Sequence, residues 1–501
     1  MRTESTAERL RDTGAEPARA EDAATSELGE LGALVGGRTA LTGDAVEVRS
    51  PYDGRLVAVV HRAGPEEIEE AITRAVQAFE ETRRLPSWRR AEILERIAAL
   101  VAGRRDELAR AIALEAGKPV KTARVEVDRA SFTFRIAAEE SKRIGGEIVP
   151  LDWAPGMEGR IAHVRRVPLG PVAGITPFNF PLNLVVHKVA PALAAGDPIV
   201  IRPASQTPAS ALLLGEMALE AGWPAGGIAV VPSSTETAAP LVEDDRIRML
   251  TFTGSPAVGW ALKARAGRKR VTLELGGNAG VIVNADADVP FAAERVAWGG
   301  FVYAGQTCIS VQRVLVHDDV HDRFLAEFLP RVEALRAGDP LEEETDVGPL
   351  IDDGASARVA EWVEEALAGG AEALAGGRGE GRLWQPTVLA GAAETMRVSC
   401  REAFAPLVVV SRFEDVGDAI AGVDRSDYGL QAGIFTRDWP TIRRAFEEIE
   451  VGGLVVNDVP TFRIDHMPYG GVKQSGLGRE GVRYAIEEMT ELRLLALNER
   501  D

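Results

Sequence analysis

The chain has 501 residues, of which 46% are hydrophobic and 27% charged, and carries a net charge of −19. At about 100–200 residues per domain that length allows two to four domains with large cores. The acidity argues against a general nucleic-acid binder and against an anionic membrane surface, both of which need a basic face. Residues 1 to about 35 contain no aromatic residue and mix Glu4, Glu8, Asp12, Glu16 and Glu21 with arginines. They read as a loose tail, neither a secretory signal nor an acid-poor transit peptide. A short strand is predicted over Leu41 to Pro51, leading into the turn Pro51-Tyr52-Asp53-Gly54. Three helices follow. The first, Glu66 to Arg84, shows helical spacing of Ile68, Ala71, Ile72, Ala75, Val76 and Phe79. The others are one from Trp88 to Ala116, opened by Pro86, and one from Pro119 to about Ile144. The stretch from Gly146 to Val167, with Pro155-Gly156 near its middle, reads as a long β-hairpin.

From Pro171 onward short buried strands alternate with helices, the rhythm of a parallel sheet. Strands are predicted at Val172 to Thr176, Pro198 to Arg202, Gly227 to Val231, Met249 to Thr253 and Arg270 to Glu274. A second α/β region runs from Gly280 to about Gly470, with strands near Gly280 to Val283, Val311 to Val316 and Leu407 to Arg412. The longest apolar stretch, Leu182 to Ile201, is interrupted by Asn183, His187, Lys188 and Asp197 and so does not read as a membrane helix. The two cysteines, Cys308 and Cys400, cannot build a disulfide framework and fit a reducing, cytoplasmic setting. The six histidines lack ligand spacing, so no metal site is expected.

Four short motifs carry chemistry, each with two readings. Gly254-Ser255-Pro256-Ala257-Val258-Gly259 follows a strand and opens a helix: a pyrophosphate cradle, or a tight turn. Glu274-Leu275-Gly276-Gly277 closes a strand where open α/β sheets place ligands, or is a turn glutamate. Gly305-Gln306-Thr307-Cys308 holds either buried filler or a nucleophile whose pKa a helix start lowers. Pro177-Phe178-Asn179-Phe180-Pro181 offers a rigid amide, either an oxyanion donor or a structural turn residue.

Together these motifs, with Glu402-Ala403-Phe404-Ala405-Pro406 and Pro468-Tyr469-Gly470-Gly471-Val472-Lys473, resemble the NAD(P)-dependent aldehyde dehydrogenase superfamily, in the same order and from about residue 40 to the C-terminus. The nearest members by this resemblance are the lactaldehyde, non-phosphorylating glyceraldehyde-3-phosphate and semialdehyde types. The resemblance implies an α/β fold with a Rossmann-like cofactor domain (36–145 and 168–275), a catalytic domain (276–470) and oligomerisation elements (146–167 and 471–501) of a homodimer or homotetramer. It implies Cys308 as nucleophile, Asn179 as oxyanion donor, Glu274 as the base that hydrolyses the thioester, and Lys188 near Asn179. It assigns Thr176, Pro177, Phe178, Arg202, Ser205, Gly254, Ser255, Val258, Leu275, Glu402 and Phe404 to NAD or NADP. Cys400 matches no role and reads as structural.

Two departures from the family pattern stand out. Arg202 replaces a usual lysine, and Ser205 stands where NAD-preferring members often carry a glutamate that repels a 2′-phosphate; with Thr235 nearby, this leans towards NADP or dual use. The aldehyde tunnel, by resemblance, draws on Arg129, Phe180, His187, Thr307 and the polar loop Thr461 to Pro468 with Arg463. Arg129 and Arg463 either face an anionic group on the substrate or are tied up, Arg129 by Glu126 and Arg463 by Asp465 or Asp458. Glu274 disfavours a coenzyme A-acylating relative. The joint presence of Asn179, Glu274, Cys308 and Glu402 disfavours a non-catalytic scaffold.

Overall fold

The computed structural model describes residues 26–499. Four consecutive βα units and a closing strand place Arg270–Glu274, Met249–Thr253, Val172–Ile175, Ile199–Arg202 and Ile228–Val230 side by side and parallel. Val172–Ile175 and Met249–Thr253 are buried along their whole length. That is why they read as continuous apolar runs rather than alternating ones: helices cover both faces of a parallel sheet. Glu30–Val35 pairs with Ile228–Val230 and extends this sheet towards Leu56–His61 and Ala45–Arg49. The boundary expected at residue 35 therefore falls inside ordered structure. The strand Glu30–Val35 has its own apolar run, Leu31, Ala33, Leu34 and Val35, which the polar composition around it disguised.

The chain leaves this sheet at Glu274 and enters a second one at Ala279–Val283. There the neighbours are Val311–His317, Leu407–Phe413 and Thr387–Ala390 on one side, and Gln431–Phe435 and Gly453–Val456 on the other. The helix expected from Trp88 to Ala116 is two helices, Ser87–Gly103 and Arg105–Ala116, because Arg104 leaves the helical region with φ −105° and ψ 27°. The third helix runs Val120–Ser141.

The hairpin forms as read, from Gly146–Pro150 and Arg160–Pro168. Thr490–Asn498 adds a third strand, pairing with Arg160–Pro168 over its whole length. Residues 471–489 do not join this small sheet. Gly476–Leu477 pairs with Arg270–Glu274 instead, and the Val482–Glu488 helix packs on the Asn183–Ala195 helix. The architecture is the α/β fold expected from the sequence, with its two open sheets meeting along the carboxyl edge of the first.

Candidate active site

Three adjacent parallel strands end at that edge and each delivers a motif. Val172–Ile175 leads to Asn179, Met249–Thr253 to Gly254-Ser255, and Arg270–Glu274 ends on Glu274 itself, in register with Thr253. Ligands of open α/β sheets bind at this carboxyl edge. The second sheet supplies Cys308 from the turn that precedes Val311–His317. Cys308 is therefore not at a helix start, as the sequence reading supposed, and no helix dipole lowers its pKa. Burial instead pushes the thiol up to about 12, against the pull of the Tyr469 hydroxyl and of Arg463.

The turn that carries Cys308 is unusual. Tyr303, Ala304 and Gly305 all take left-handed backbone, with φ of 52°, 53° and 65°. Each non-glycine residue there costs about 1–2 kcal/mol. A side chain at position 305 would overlap the carbonyl of Ala405, so glycine is required on two counts. The turn is held by surrounding groups. Tyr303 Oη donates to Ala116 O at 2.9 Å, Gln306 Nε2 donates to Pro349 O at 3.2 Å, and Ile351 N donates to Gln306 Oε1 at 3.0 Å. Asn179 Nδ2 donates to Gln306 O at 2.9 Å, which leaves its second N–H free.

Cys308 and Asn179 line two cavities. The larger, about 580 Å³, is also lined by Glu274, Pro177, Phe178, Gly254, Ser255, Leu275, Glu402 and Phe404. Burial raises Glu274 well above the carboxylate range, and Glu480 adds to this while Arg463 and Lys188 oppose it. Both of its oxygens lack a protein partner. Glu402 accepts from Gly277 N at 2.9 Å, and burial lifts it to about 7. A Cβ on Gly276 would overlap the Glu402 carboxylate, so the Gly276-Gly277 pair lets that acid approach the backbone. Phe404, with φ 49°, meets Phe178 edge to face at 5.9 Å.

Further along the edge, Arg202 donates to Ser233 O and to Thr235 Oγ1 and has no ion-pair partner among the described residues. Ser205 is exposed, Val258 is half exposed on the Pro256–Arg265 helix, and Thr176 keeps a buried hydroxyl with no partner. These four do not line the 580 Å³ cavity. A guanidinium with no acid partner among the described residues, a glycine turn at a helix N-terminus and a buried acid suit the phosphate and ribose groups of a dinucleotide.

The smaller cavity, about 110 Å³, is lined by Arg129, Phe180, Thr307 and Arg463, with Trp298, Tyr303 and Tyr469. Both arginines are partnered, although not by the acids expected. Arg129 grips Asp465 through two hydrogen bonds of 2.6 and 3.1 Å, while Glu126 is taken by Lys118. Arg463 donates to Glu480 Oε2 at 2.8 Å, while Asp458 is taken by Arg295. His187 lines neither cavity: it is buried behind the wall, bonded to Asp465 at 2.9 Å. Lys188 likewise lies behind it, donating to Thr253 Oγ1 at 2.7 Å and pairing with Glu480 at 3.5 Å. Burial would raise Glu480, but Lys188 and Arg463 overcome it and hold the acid at about 2.

Glu480 and Tyr469 escaped the sequence reading as site residues. Tyr469 sat in a quoted motif, whereas Glu480 had no local signal. It reaches the site because its backbone pairs with that of Tyr469, Tyr469 N donating to Glu480 O at 3.0 Å.

Open α/β sheets whose carboxyl edge brings a free thiol, a side-chain amide and two buried acids around one cavity suit a dinucleotide-dependent enzyme, and the comparisons give its family. Residues 39–495 match the model of the aldehyde dehydrogenase family, so the chain belongs to that family. It is an NAD(P)-dependent aldehyde dehydrogenase, oxidising an aldehyde to the carboxylic acid. It is 44% identical over 474 residues to a 3-sulfolactaldehyde dehydrogenase of Priestia megaterium, covering 94% of this chain and 99% of that protein. Among solved structures it resembles aldehyde dehydrogenase 21 of Physcomitrella patens in complex with the reaction product succinate (TM-score 0.92, 41% identity, 94% of this chain and 98% of that one). It also resembles the glyceraldehyde-3-phosphate dehydrogenase GapN of Methanocaldococcus jannaschii complexed with NADP (TM-score 0.87, 38% identity, 91% of this chain and 100% of that one). No helix among the described residues is long and apolar enough to cross a membrane.

Proposed function

We propose that Cys308 is the nucleophile, Asn179 the oxyanion donor and Glu274 the general base. The observation that carries this reading is that all three line one cavity, with Cys308 and Asn179 also lining the second. The Cys308 thiolate adds to the aldehyde carbon, and the free N–H of Asn179 Nδ2, with the Cys308 backbone N–H, receives the oxyanion. NAD(P)⁺, when bound, supplies the acceptor for the hydride that this carbon loses. Phe178, Phe404 and the Glu402 carboxylate shape the wall on that side, and the glycine turn at 254 with Arg202 takes the anionic remainder of the dinucleotide. Glu274 then removes a proton from the water that hydrolyses the thioester. Burial, which raises this carboxyl well above the ordinary carboxylate range, makes it a stronger base for that task. Replacing Glu274 with Gln should leave one rapid burst of NAD(P)H per active site and then stall, with the acyl-enzyme visible by mass spectrometry. A variant that keeps full steady-state turnover removes Glu274 from this role. Glu274 also weighs against a coenzyme A-acylating activity.

The substrate we infer is a small polar or anionic aldehyde. The 110 Å³ cavity is small, and Arg129 and Arg463 stand on its wall. The relatives named above, acting on sulfolactaldehyde or glyceraldehyde 3-phosphate or holding succinate, are in keeping with it. Arg202 without an acid partner, beside Ser205 and Thr235, supports acceptance of NADP; a strong kinetic preference for NAD overturns that lean. His187 and Lys188 act from behind the cavity walls, as supports for Asp465 and Glu480. The two cysteines are free thiols, in keeping with a cytoplasmic enzyme. The three-stranded sheet exposes Ile148, Leu492, Leu494 and Leu495, a surface suited to a second copy of the chain. We retain the division into a cofactor-binding lobe and a catalytic lobe, with 146–168 and 490–498 as the oligomerisation sheet.

A further inference from the structure

Among the described residues, one side chain hydrogen-bonds to the Cys308 sulfur. Tyr469 Oη lies 2.9 Å from Sγ, and no other hydrogen-bond partner of that hydroxyl is found. Tyr469 is 3% exposed, and two backbone hydrogen bonds with Glu480, of 3.0 and 2.6 Å, fix its position. The Arg463 guanidinium lies 3.7 Å from the centre of the Tyr469 ring. Glu480 in turn holds that guanidinium in place through its 2.8 Å bond. Sulfur, phenol and guanidinium thus form one contiguous chain of contacts, with the buried phenol in the middle.

We propose that Tyr469 is a catalytic residue: its hydroxyl donates a hydrogen bond to the Cys308 thiolate, and the Arg463 guanidinium stacked on its ring strengthens that donor. The proposal rests on the reading of Cys308 as the nucleophile. A thiolate can only accept, so once the thiol ionises the phenol must be the donor of this pair. The thiol proton leaves to water in the larger cavity and the phenol keeps its own proton. A cation over the π face draws electron density from the ring and polarises the O–H bond, and donation to an ionised acceptor is about twice as strong as a neutral hydrogen bond.

The surrounding charges make this assistance necessary. Burial, with the Glu402 and Glu274 carboxyls, opposes a negative charge on the sulfur and holds the thiol up at about 12, while Tyr469 and Arg463 pull towards the thiolate. Behind these groups, Glu480 offsets the positive charges of Arg463 and Lys188, and Arg479 faces Glu274. Burial and the neighbouring thiol hold the Tyr469 hydroxyl well above the ordinary phenol range, although Arg463 opposes them, so it remains a donor across neutral pH. A phenylalanine would preserve the ring, its packing and the stack, and remove the donor alone.

The test is alkylation of the full-length enzyme by iodoacetamide between pH 6 and 10, followed by mass spectrometry at Cys308. Iodoacetamide is uncharged and needs no anion-binding group. In Tyr469→Phe the rising limb of the rate profile should move up by about one pH unit, with alkylation at neutral pH about 3–10-fold slower. Arg463→Lys, which keeps a charge for Glu480 but loses the planar stack, should move the limb in the same direction. An unchanged midpoint of thermal unfolding in Tyr469→Phe would show that the effect is local. Wild-type pH dependence in Tyr469→Phe overturns the proposal. Cys308→Ala with turnover intact overturns the nucleophile reading and the proposal with it.

Discussion

Arg129 illustrates how much a single residue's role depends on its partner. Its guanidinium lines the smaller cavity, yet both of its hydrogen bonds to protein carboxylate go to Asp465, which His187 and Asn183 also contact. Burial would raise Asp465, but His187 and Arg129 overcome it and hold the acid well below its ordinary range, so the pair is a true ion pair. An arginine locked in this way presents its remaining N–H groups in a fixed direction, which suits recognition of a planar or tetrahedral anion. Arg129→Met should therefore raise KM for an anionic aldehyde about 10–100-fold, the worth of one charge-assisted hydrogen bond, with propanal little affected. Equal changes for both aldehydes would show that Arg129 supports the wall without reading charge. At this scale Cys308, Glu274 and Asn179 could be singled out because each lies in a run of residues with its own backbone demand, and the structure brings the three to one cavity. The partners of the two arginines were not. Glu480 is 17 positions from Arg463 and Asp465 is 336 from Arg129, separations that only the tertiary fold closes.

At the scale of elements, two helix starts are capped from a distance. The Ala209–Glu220 helix has no side-chain cap of its own. Glu115, from the Arg105–Ala116 helix, accepts from Ala209 N at 2.8 Å and Ser210 N at 3.1 Å. Glu126 does the same for the Asn183–Ala195 helix through Leu182 N and Asn183 N, both at 3.0 Å, while its other oxygen pairs with Lys118. A sequence reading looks for caps within one turn of the helix start. It cannot see a carboxylate that arrives from about 60 to 95 residues away.

Burial raises Glu115 from an ordinary carboxylate to about 7, its three hydrogen bonds only partly offsetting that. The folded protein then holds a proton that the unfolded chain has lost, so this group's contribution to stability is complete below about pH 4.5 and declines as pH rises through 7. Glu115→Gln stays neutral and lacks that decline. Its thermal midpoint, measured against the wild type, should improve steadily from pH 5 to 8; a constant difference would refute the assignment. The parallel strands were read correctly because burial on both faces leaves an unbroken apolar run. The break at Arg104 was missed because no proline or glycine cluster marks it, and Gly103 alone resembles a tolerated helix glycine.

At the scale of the whole molecule, the three-stranded sheet formed by 146–150, 160–168 and 490–498 stands apart from both large sheets. Thr490–Asn498 occupies its edge, with Glu491 to Asn498 exposed and, among the described residues, no strand paired on its far side. An exposed apolar edge of that length invites pairing with another chain. Removal of residues 490–501 should shift the enzyme to monomers in size-exclusion chromatography with light scattering; an unchanged mass would place the subunit contact elsewhere. The hairpin was legible from Pro155-Gly156, but its third strand lies more than 300 residues further on and only resemblance pointed to it.

The left-handed turn at Tyr303 to Gly305 has a consequence for how the enzyme comes into being. Its hydrogen-bonding anchors are Ala116 and Asn179 on one side and Pro349 and Ile351 on the other, so no single stretch of chain can hold it. A partly opened chain contains Cys308 but lacks the contacts that hold its turn against Asn179. The placement of Cys308 thus depends on contacts contributed from both halves of the chain, far from the cysteine in sequence.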